Sequence, residues 1–127
     1  MKKKQKKTVR VFIVDDSEVF RGRLMDLLSE LKGVEIVGEA GGPHEAIKAI
    51  QKLKPDAVIL DIRMPGGNGI EVLKKIKKDK PAPMVIMLTN YPYPQYRKKC
   101  MDAGADFFFD KSTEFEKVTE VLKKLTQ

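Results

Sequence analysis

Five residues could do chemistry together in this sequence. Asp15 and Asp16 follow the apolar run Val9–Val14, Asp61 follows Ala57–Leu60, Thr89 follows Met84–Leu88, and Lys111 comes just after Phe107–Phe109. Three carboxylates brought into one pocket repel one another, and at least one pKa rises unless a cation compensates. Hard carboxylate oxygens, a backbone carbonyl and water suit magnesium in octahedral geometry. Lys111 adds a compact, mobile positive charge and Thr89 a hydroxyl donor. A site of this kind favours a trigonal, highly charged group, namely a phosphoryl in transfer, for which positioning and charge neutralisation do most of the catalysis. Each residue also has a plain structural role open to it. Asp15 and Asp16 could cap a helix, Asp61 could begin a turn, Thr89 could end a strand and Lys111 could be a solvated charge. Spacing alone leaves both accounts standing.

The elements that must position these residues alternate along the chain. Val9–Val14 is a β-branched run that reads as a strand. Phe20, Leu24, Leu27, Leu28 and Leu31 then fall at helical spacing, with capping chemistry at Asp15-x-x-Glu18 and Ser17, and Gly33 as the stop. Val34–Val37 reads as a second strand, Gly41-Gly42-Pro43 as a turn, and Ala46, Ile47, Ile50 and Leu53 as a second helix stripe closed by Pro55. Ala57–Leu60 is wholly apolar, as a central parallel strand covered on both faces should be. A helix over 69–78, a strand over 84–88, a helix over 95–103, a short strand over 107–109 and a final helix with a Thr113-x-x-Glu116 capping box complete the pattern. Short strands alternating with helices predict an α/β domain with a doubly wound five-stranded parallel sheet, because each parallel crossover is right-handed. In such a sheet ligands bind at the carboxyl ends of the strands, where all five polar residues fall.

The chain of 127 residues fits one domain, and its 42% hydrophobic share allows a real core. The net charge of +7 is concentrated in Lys2, Lys3, Lys4, Lys6 and Lys7; the rest is nearly balanced between basic and acidic residues. Residues 1–7 are expected to be a flexible basic tail and 8–127 the folded domain. No stretch approaches the roughly twenty apolar residues of a membrane span, and no signal-peptide core follows the tail, so a cytoplasmic location is expected. Cys100 has no partner for a disulfide and reads as a small buried hydrophobe. His44 reads as a surface residue at a helix start, and Gly66-Gly67 as a turn.

The segments Val11-Phe12-Ile13-Val14-Asp15-Asp16-Ser17, Asp61-Ile62-Arg63-Met64-Pro65 with Gly69, Leu88-Thr89, and Gly104 through Lys111 together resemble the receiver domain of two-component response regulators. The resemblance covers the chain from Thr8 to Leu125. It implies the flavodoxin-like fold with strand order 2-1-3-4-5. It also implies a stand-alone phosphoacceptor that catalyses only its own phosphorylation and dephosphorylation. In that pattern Asp61 is the phosphoacceptor. Asp16, Asp61 and the backbone carbonyl of Arg63 bind Mg2+ directly, and Asp15 does so through water. Thr89 and Lys111 hold the phosphoryl group, and Thr89 with Phe108 forms the switch, Thr89 moving inward and vacating space into which Phe108 turns. The implied partners are a sensor histidine kinase or histidine phosphotransfer protein as donor, and a protein reading the surface of the fourth helix, fifth strand and fifth helix. The expected state is a monomer or a weak, phosphorylation-dependent dimer.

The sequence departs from that family pattern at several points. Asn90 stands where a small residue is usual. Arg63 and Tyr91 occupy the two positions that influence attack by water, and their size predicts a slowly hydrolysing acyl phosphate. Tyr91, Tyr93 and Tyr96 lie in a stretch stiffened by Pro92 and Pro94, which predicts either a partner surface or rings packed back onto the domain. Ser112 stands where many receivers carry proline and is expected to cap the last helix. Other classes remain to be weighed: a relay intermediate passing phosphate onward, a nucleic-acid binder using the lysine tail, which is disfavoured because no helix-turn-helix is seen, and a flavin or nucleotide binder, which Asp15-Asp16 disfavours.

Overall fold

The computed structural model describes residues 8–127, so the expected basic tail lies outside the described residues. Five parallel strands form one sheet: β1 (Val9–Val14), β2 (Val34–Ala40), β3 (Ala57–Leu60), β4 (Met84–Thr89) and β5 (Phe107–Asp110). Their spatial order is β2-β1-β3-β4-β5, the expected flavodoxin-like arrangement, with the chain reversing direction across the sheet between β1 and β3. Five helices connect or follow them: α1 (Glu18–Ser29), α2 (Pro43–Leu53), α3 (Gly69–Ile76), α4 (Pro94–Asp102) and α5 (Lys117–Leu125).

The strand pleat sorts the core into two layers, because successive side chains point to opposite faces. Phe12, Val14, Val58, Leu60, Val85, Met87 and Phe108 pack in one layer with Ala46 and Ile50 of α2, Val72, Leu73 and Ile76 of α3, and Cys100 of α4. Val11, Ile13, Ala57, Ile59, Ile86 and Leu88 form the other layer with Leu24 and Leu28 of α1 and Val118 and Leu122 of α5. All four residues of β3 are buried, as its apolar run predicts.

Differences from the expected elements have local causes. Strand β2 runs on to Ala40 because Gly38 opposes Phe12, where a Cβ would stand 2.7 Å from the ring; the pairing slips there, between Val11 and Phe12. Helix α1 is capped by Ser17, whose Oγ accepts from Phe20 N at 3.1 Å, while Asp15 Oδ1 accepts from Ser17 N. The expected Thr113-x-x-Glu116 box and Ser112 cap do not form. Asp110 N donates to Glu114 Oε1 at 3.1 Å and Glu114 N donates to Asp110 O at 2.8 Å. That closed turn holds the chain until α5 starts at Lys117, with no side-chain cap. Among the described residues no helix is long and apolar enough to cross a membrane.

Candidate functional site

The residues expected at the site converge at the carboxyl edge of the sheet. The backbone puts them there by carrying the ladder past the last paired residues. Asp15 N donates to Ala40 O at 3.0 Å, Asp61 N to Val14 O at 3.0 Å, and Lys111 N to Thr89 O at 2.9 Å. The side chains of Asp15, Asp61 and Lys111 therefore leave from backbone held on the neighbouring strand.

Asp15 and Asp61 are 2% and 5% exposed, and Asp16 is exposed. A carboxylate oxygen from each of the three lies within 4.8 Å of the others, close enough to hold one cation. All are hard oxygen donors, which fits a magnesium-like ion. Lys111 Nζ lies 2.5 Å from Asp15 Oδ2 and 3.1 Å from Asp61 Oδ2. The same ammonium stands 4.2 Å from the centre of the Phe20 ring. The other oxygen of Asp61, Oδ1, accepts from Ile62 N at 2.7 Å.

Electrostatics at this cluster is a balance of opposed effects. Burial pushes the Asp61 carboxyl above the ordinary range; the Lys111 charge pulls it down, the Asp15 charge pushes it up, and the net direction is upward. Burial opposes the charge on Lys111, but hydrogen bonding to Asp15 and the charges of Asp61 and Asp15 outweigh it, so the Lys111 pKa is raised. Lys111 is thus a fixed cation shared by two carboxylates.

Thr89 is fully buried, and its Oγ1 accepts from Tyr91 N at 3.1 Å. Phe108 is also buried already, with the Arg97 guanidinium carbon 5.0 Å from its ring centre and Arg97 Nη2 donating to Phe108 O. Asn90 is exposed and, with Arg63, Tyr91, Met64 and Pro65, lines the open side of a cavity of about 330 Å³ around the carboxylates. The loop carrying Arg63 is shaped by a two-residue ladder, Arg63–Met64 against Gly67–Asn68, and by Gly69. A Cβ on Gly69 would stand 1.8 Å from the Asp61 carbonyl oxygen. Only glycine lets α3 start this close to the acceptor.

Sequence reasoning missed two supports. Arg21 Nη1 donates to Asp15 O at 2.6 Å while its Nε pairs with Glu39 at 2.6 Å, bracing the first acidic loop against β2. Arg63 contacts Tyr91 and Tyr96 across the mouth. Both depend on partners from separate elements, which spacing along the chain does not reveal. His44 is exposed one residue into α2 and Cys100 is buried, as expected; Gly66 lies in a turn with Pro65, but Gly67 is the first residue of the returning strand of the short ladder.

A doubly wound sheet with three clustered carboxylates and a lysine at its carboxyl edge defines a flavodoxin-like α/β domain built for a charged group. The family described as the response regulator receiver domain matches residues 11–123, and the chain belongs to that family, a signalling domain of two-component systems. A protein-glutamate methylesterase/protein-glutamine glutaminase of Alkalilimnicola ehrlichii is 39% identical over 123 residues, 91% of this chain and 31% of that protein. The response regulator domain of Thermotoga maritima CheB superposes with a TM-score of 0.82 at 35% identity, covering 94% of each chain. The CheX–CheY–BeF3–Mg2+ complex from Borrelia burgdorferi contains a chain matched at TM-score 0.74 and 30% identity, covering 90% of this chain and 89% of that one. The chain spans less than two thirds of the length of the curated relatives it matches, so those relatives do not bear out the stand-alone arrangement expected above.

Proposed function

We propose that this domain accepts a phosphoryl group from a phosphohistidine on a sensor histidine kinase or histidine phosphotransfer protein. The acceptor is the Asp61 carboxylate. The observation that carries this reading is the setting of Asp61: a buried carboxylate 3.1 Å from a shared lysine, with ligating oxygens of Asp15 and Asp16 within 4.8 Å. A carboxylate oxygen of Asp61 attacks phosphorus. The O–P bond forms as the donor N–P bond breaks, and the electron pair stays on the imidazole nitrogen. Lys111 and the Thr89 hydroxyl hold phosphoryl oxygens, and Lys111 keeps its charge throughout. Asp16, Asp61 and the Arg63 carbonyl would hold Mg2+ directly, with Asp15 acting through water. When bound, the ion neutralises charge on the transferring group. The BeF3 and Mg2+ named with the Borrelia burgdorferi relative support this assignment.

Phosphorylation then biases an equilibrium through Thr89 and Phe108. Phe108 is buried in the form described, with Arg97 over its ring, and this inward seat supports its assignment as the switch aromatic. A partner reads the α4–β5–α5 face, and the domain works in the cytoplasm as a monomer or weak phosphorylation-dependent dimer. Arg63, Asn90 and Tyr91 set the rate at which water reaches the acyl phosphate.

The test is incubation with Mg2+ and acetyl phosphate followed by intact mass. The wild type should gain one phosphoryl group and Asp61→Asn none. Because Asn90 lines the mouth, beryllofluoride with Mg2+ provides a second, smaller probe. Failure of the wild type with both probes, or equal uptake by Asp61→Asn, overturns the assignment.

A further inference from the structure

Arg63 reaches across the mouth of the acceptor cavity. Its guanidinium carbon lies 4.0 Å from the centre of the Tyr91 ring and 6.0 Å from that of Tyr96. Its Nη2 donates to Tyr96 Oη at 3.3 Å. These three residues come from three places: the loop after β3, the loop after β4, and the first turn of α4. Tyr93 continues the series of rings, 6.4 Å from Tyr91 and 5.7 Å from Tyr96, and is 47% exposed.

An exposed arginine ordinarily samples many rotamers. Here a planar guanidinium finds one ring face and one hydroxyl acceptor together, a combination its rigid fork suits better than an ammonium does. Among the described residues Arg63 pairs with no carboxylate, so the aromatic contacts are what hold it. The backbone of Tyr91 is tied inward as well, since its N–H donates to Thr89 Oγ1.

We infer that Arg63 is a positioning residue that latches the start of α4 to the rim of the acceptor cavity. The inference deepens the reading of Asp61 as acceptor and rests on it for its second half. The latch runs from Thr89 through Tyr91 and Arg63 to Tyr96. While closed, it keeps the Tyr91 ring over the mouth and the first turn of α4 in place. Coupling of this kind is reciprocal. A protein gripping Tyr93 and the start of α4 changes water access at Asp61, and a group on Asp61 changes how firmly α4 is held.

Two measurements separate the halves of the inference. The first is amide hydrogen exchange in the unphosphorylated protein. Tyr96→Phe removes the acceptor oxygen and keeps the ring; Arg63→Ala removes the bridge and keeps its backbone carbonyl. Both should raise exchange over 94–102 by about threefold, the size expected of losing one exposed hydrogen bond or cation–ring contact, while α2 exchange stays as in the wild type. Unchanged exchange over 94–102 in both variants, or an equal rise in α2, overturns the latch. The second is the half-life of the phosphorylated protein, which Tyr96→Phe should shorten by about threefold, in line with the loss of one exposed hydrogen bond. A half-life equal to wild type, with faster exchange in α4, overturns the link to Asp61. If the wild type takes up no phosphoryl group or beryllofluoride, the acceptor reading and that link fall together, and the exchange comparison still decides the latch.

Discussion

Lys111 Nζ, 3.1 Å from Asp61 Oδ2, is also bound to Asp15 Oδ2, so a single cation serves two buried carboxylates. The compensation is incomplete for Asp61, whose pKa stays raised by burial despite the lysine. A carboxyl with a raised folded-state pKa favours folding most when protonated, below its unfolded pKa. That contribution is lost as pH rises through the folded pKa. At neutral pH, without divalent ions, Asp61 therefore subtracts from stability. Asp61→Asn should be more stable than wild type in EDTA at neutral pH, and the gap should narrow as pH falls into the carboxylate range. Urea unfolding curves at the two pH values measure this; a gap that widens on acidification contradicts it.

Removing the shared cation should matter more than removing either anion. Lys111→Met leaves Asp15 and Asp61 facing each other without a counter-charge. The expected cost is about 3 kcal/mol in EDTA, by analogy with breaking other buried pairs, with part recovered on adding Mg2+. Phosphoryl uptake from acetyl phosphate should fall at least about tenfold, as for loss of other preorganised charge stabilisers. Stability by urea unfolding and uptake by intact mass are read on the same samples.

Gly69 and Gly66 test two different demands on the loop after Asp61. A methyl at Gly69 meets backbone, the Asp61 carbonyl oxygen at 1.8 Å, and no rotamer change relieves it. Gly69→Ala should cost about 3 kcal/mol, the upper end for overpacking, and lower phosphoryl uptake by displacing Asp61. Gly66 has φ +85° and nothing within 4 Å of a would-be Cβ. Gly66→Ala should cost only about 1 kcal/mol of backbone strain and leave uptake near wild type. Equal effects of the two substitutions would refute this distinction.

Cys100 is buried in α4, and burial pushes its thiol up to about 11. Iodoacetamide at mildly alkaline pH should leave the folded protein unmodified and alkylate it only once urea unfolds it, because the thiolate is the nucleophile. Ready labelling of the folded protein would show that α4 opens far more often than its packing allows.

The parts of this molecule legible in its sequence are those decided by local pattern. Val9–Val14 and Ala57–Leu60 are strands with the expected ends because apolar β-branched runs leave little alternative. Asp15, Asp16, Asp61, Thr89 and Lys111 are legible because each falls at the end of an apolar run or just beyond it, and parallel strands bring their carboxyl ends to one edge. α5 starts later than its capping pattern predicts because Glu114 closes on Asp110 instead. The reach of β2 depends on Gly38 fitting beneath Phe12. The Arg21–Glu39 brace and the Arg63–Tyr96 bridge arise only once separate elements meet, so no periodicity announces them.

The amides of Asp15, Asp61 and Lys111 are each bonded to an adjacent strand. The floor of the pocket is therefore part of the sheet and cannot tilt or slide on its own. A change at the acceptor carboxylate passes more readily to residues 90–93, which lie between β4 and α4 outside the sheet, than to the strands themselves. Such a division lets the listening surface be recut for a new audience while the reacting groups stay where they are.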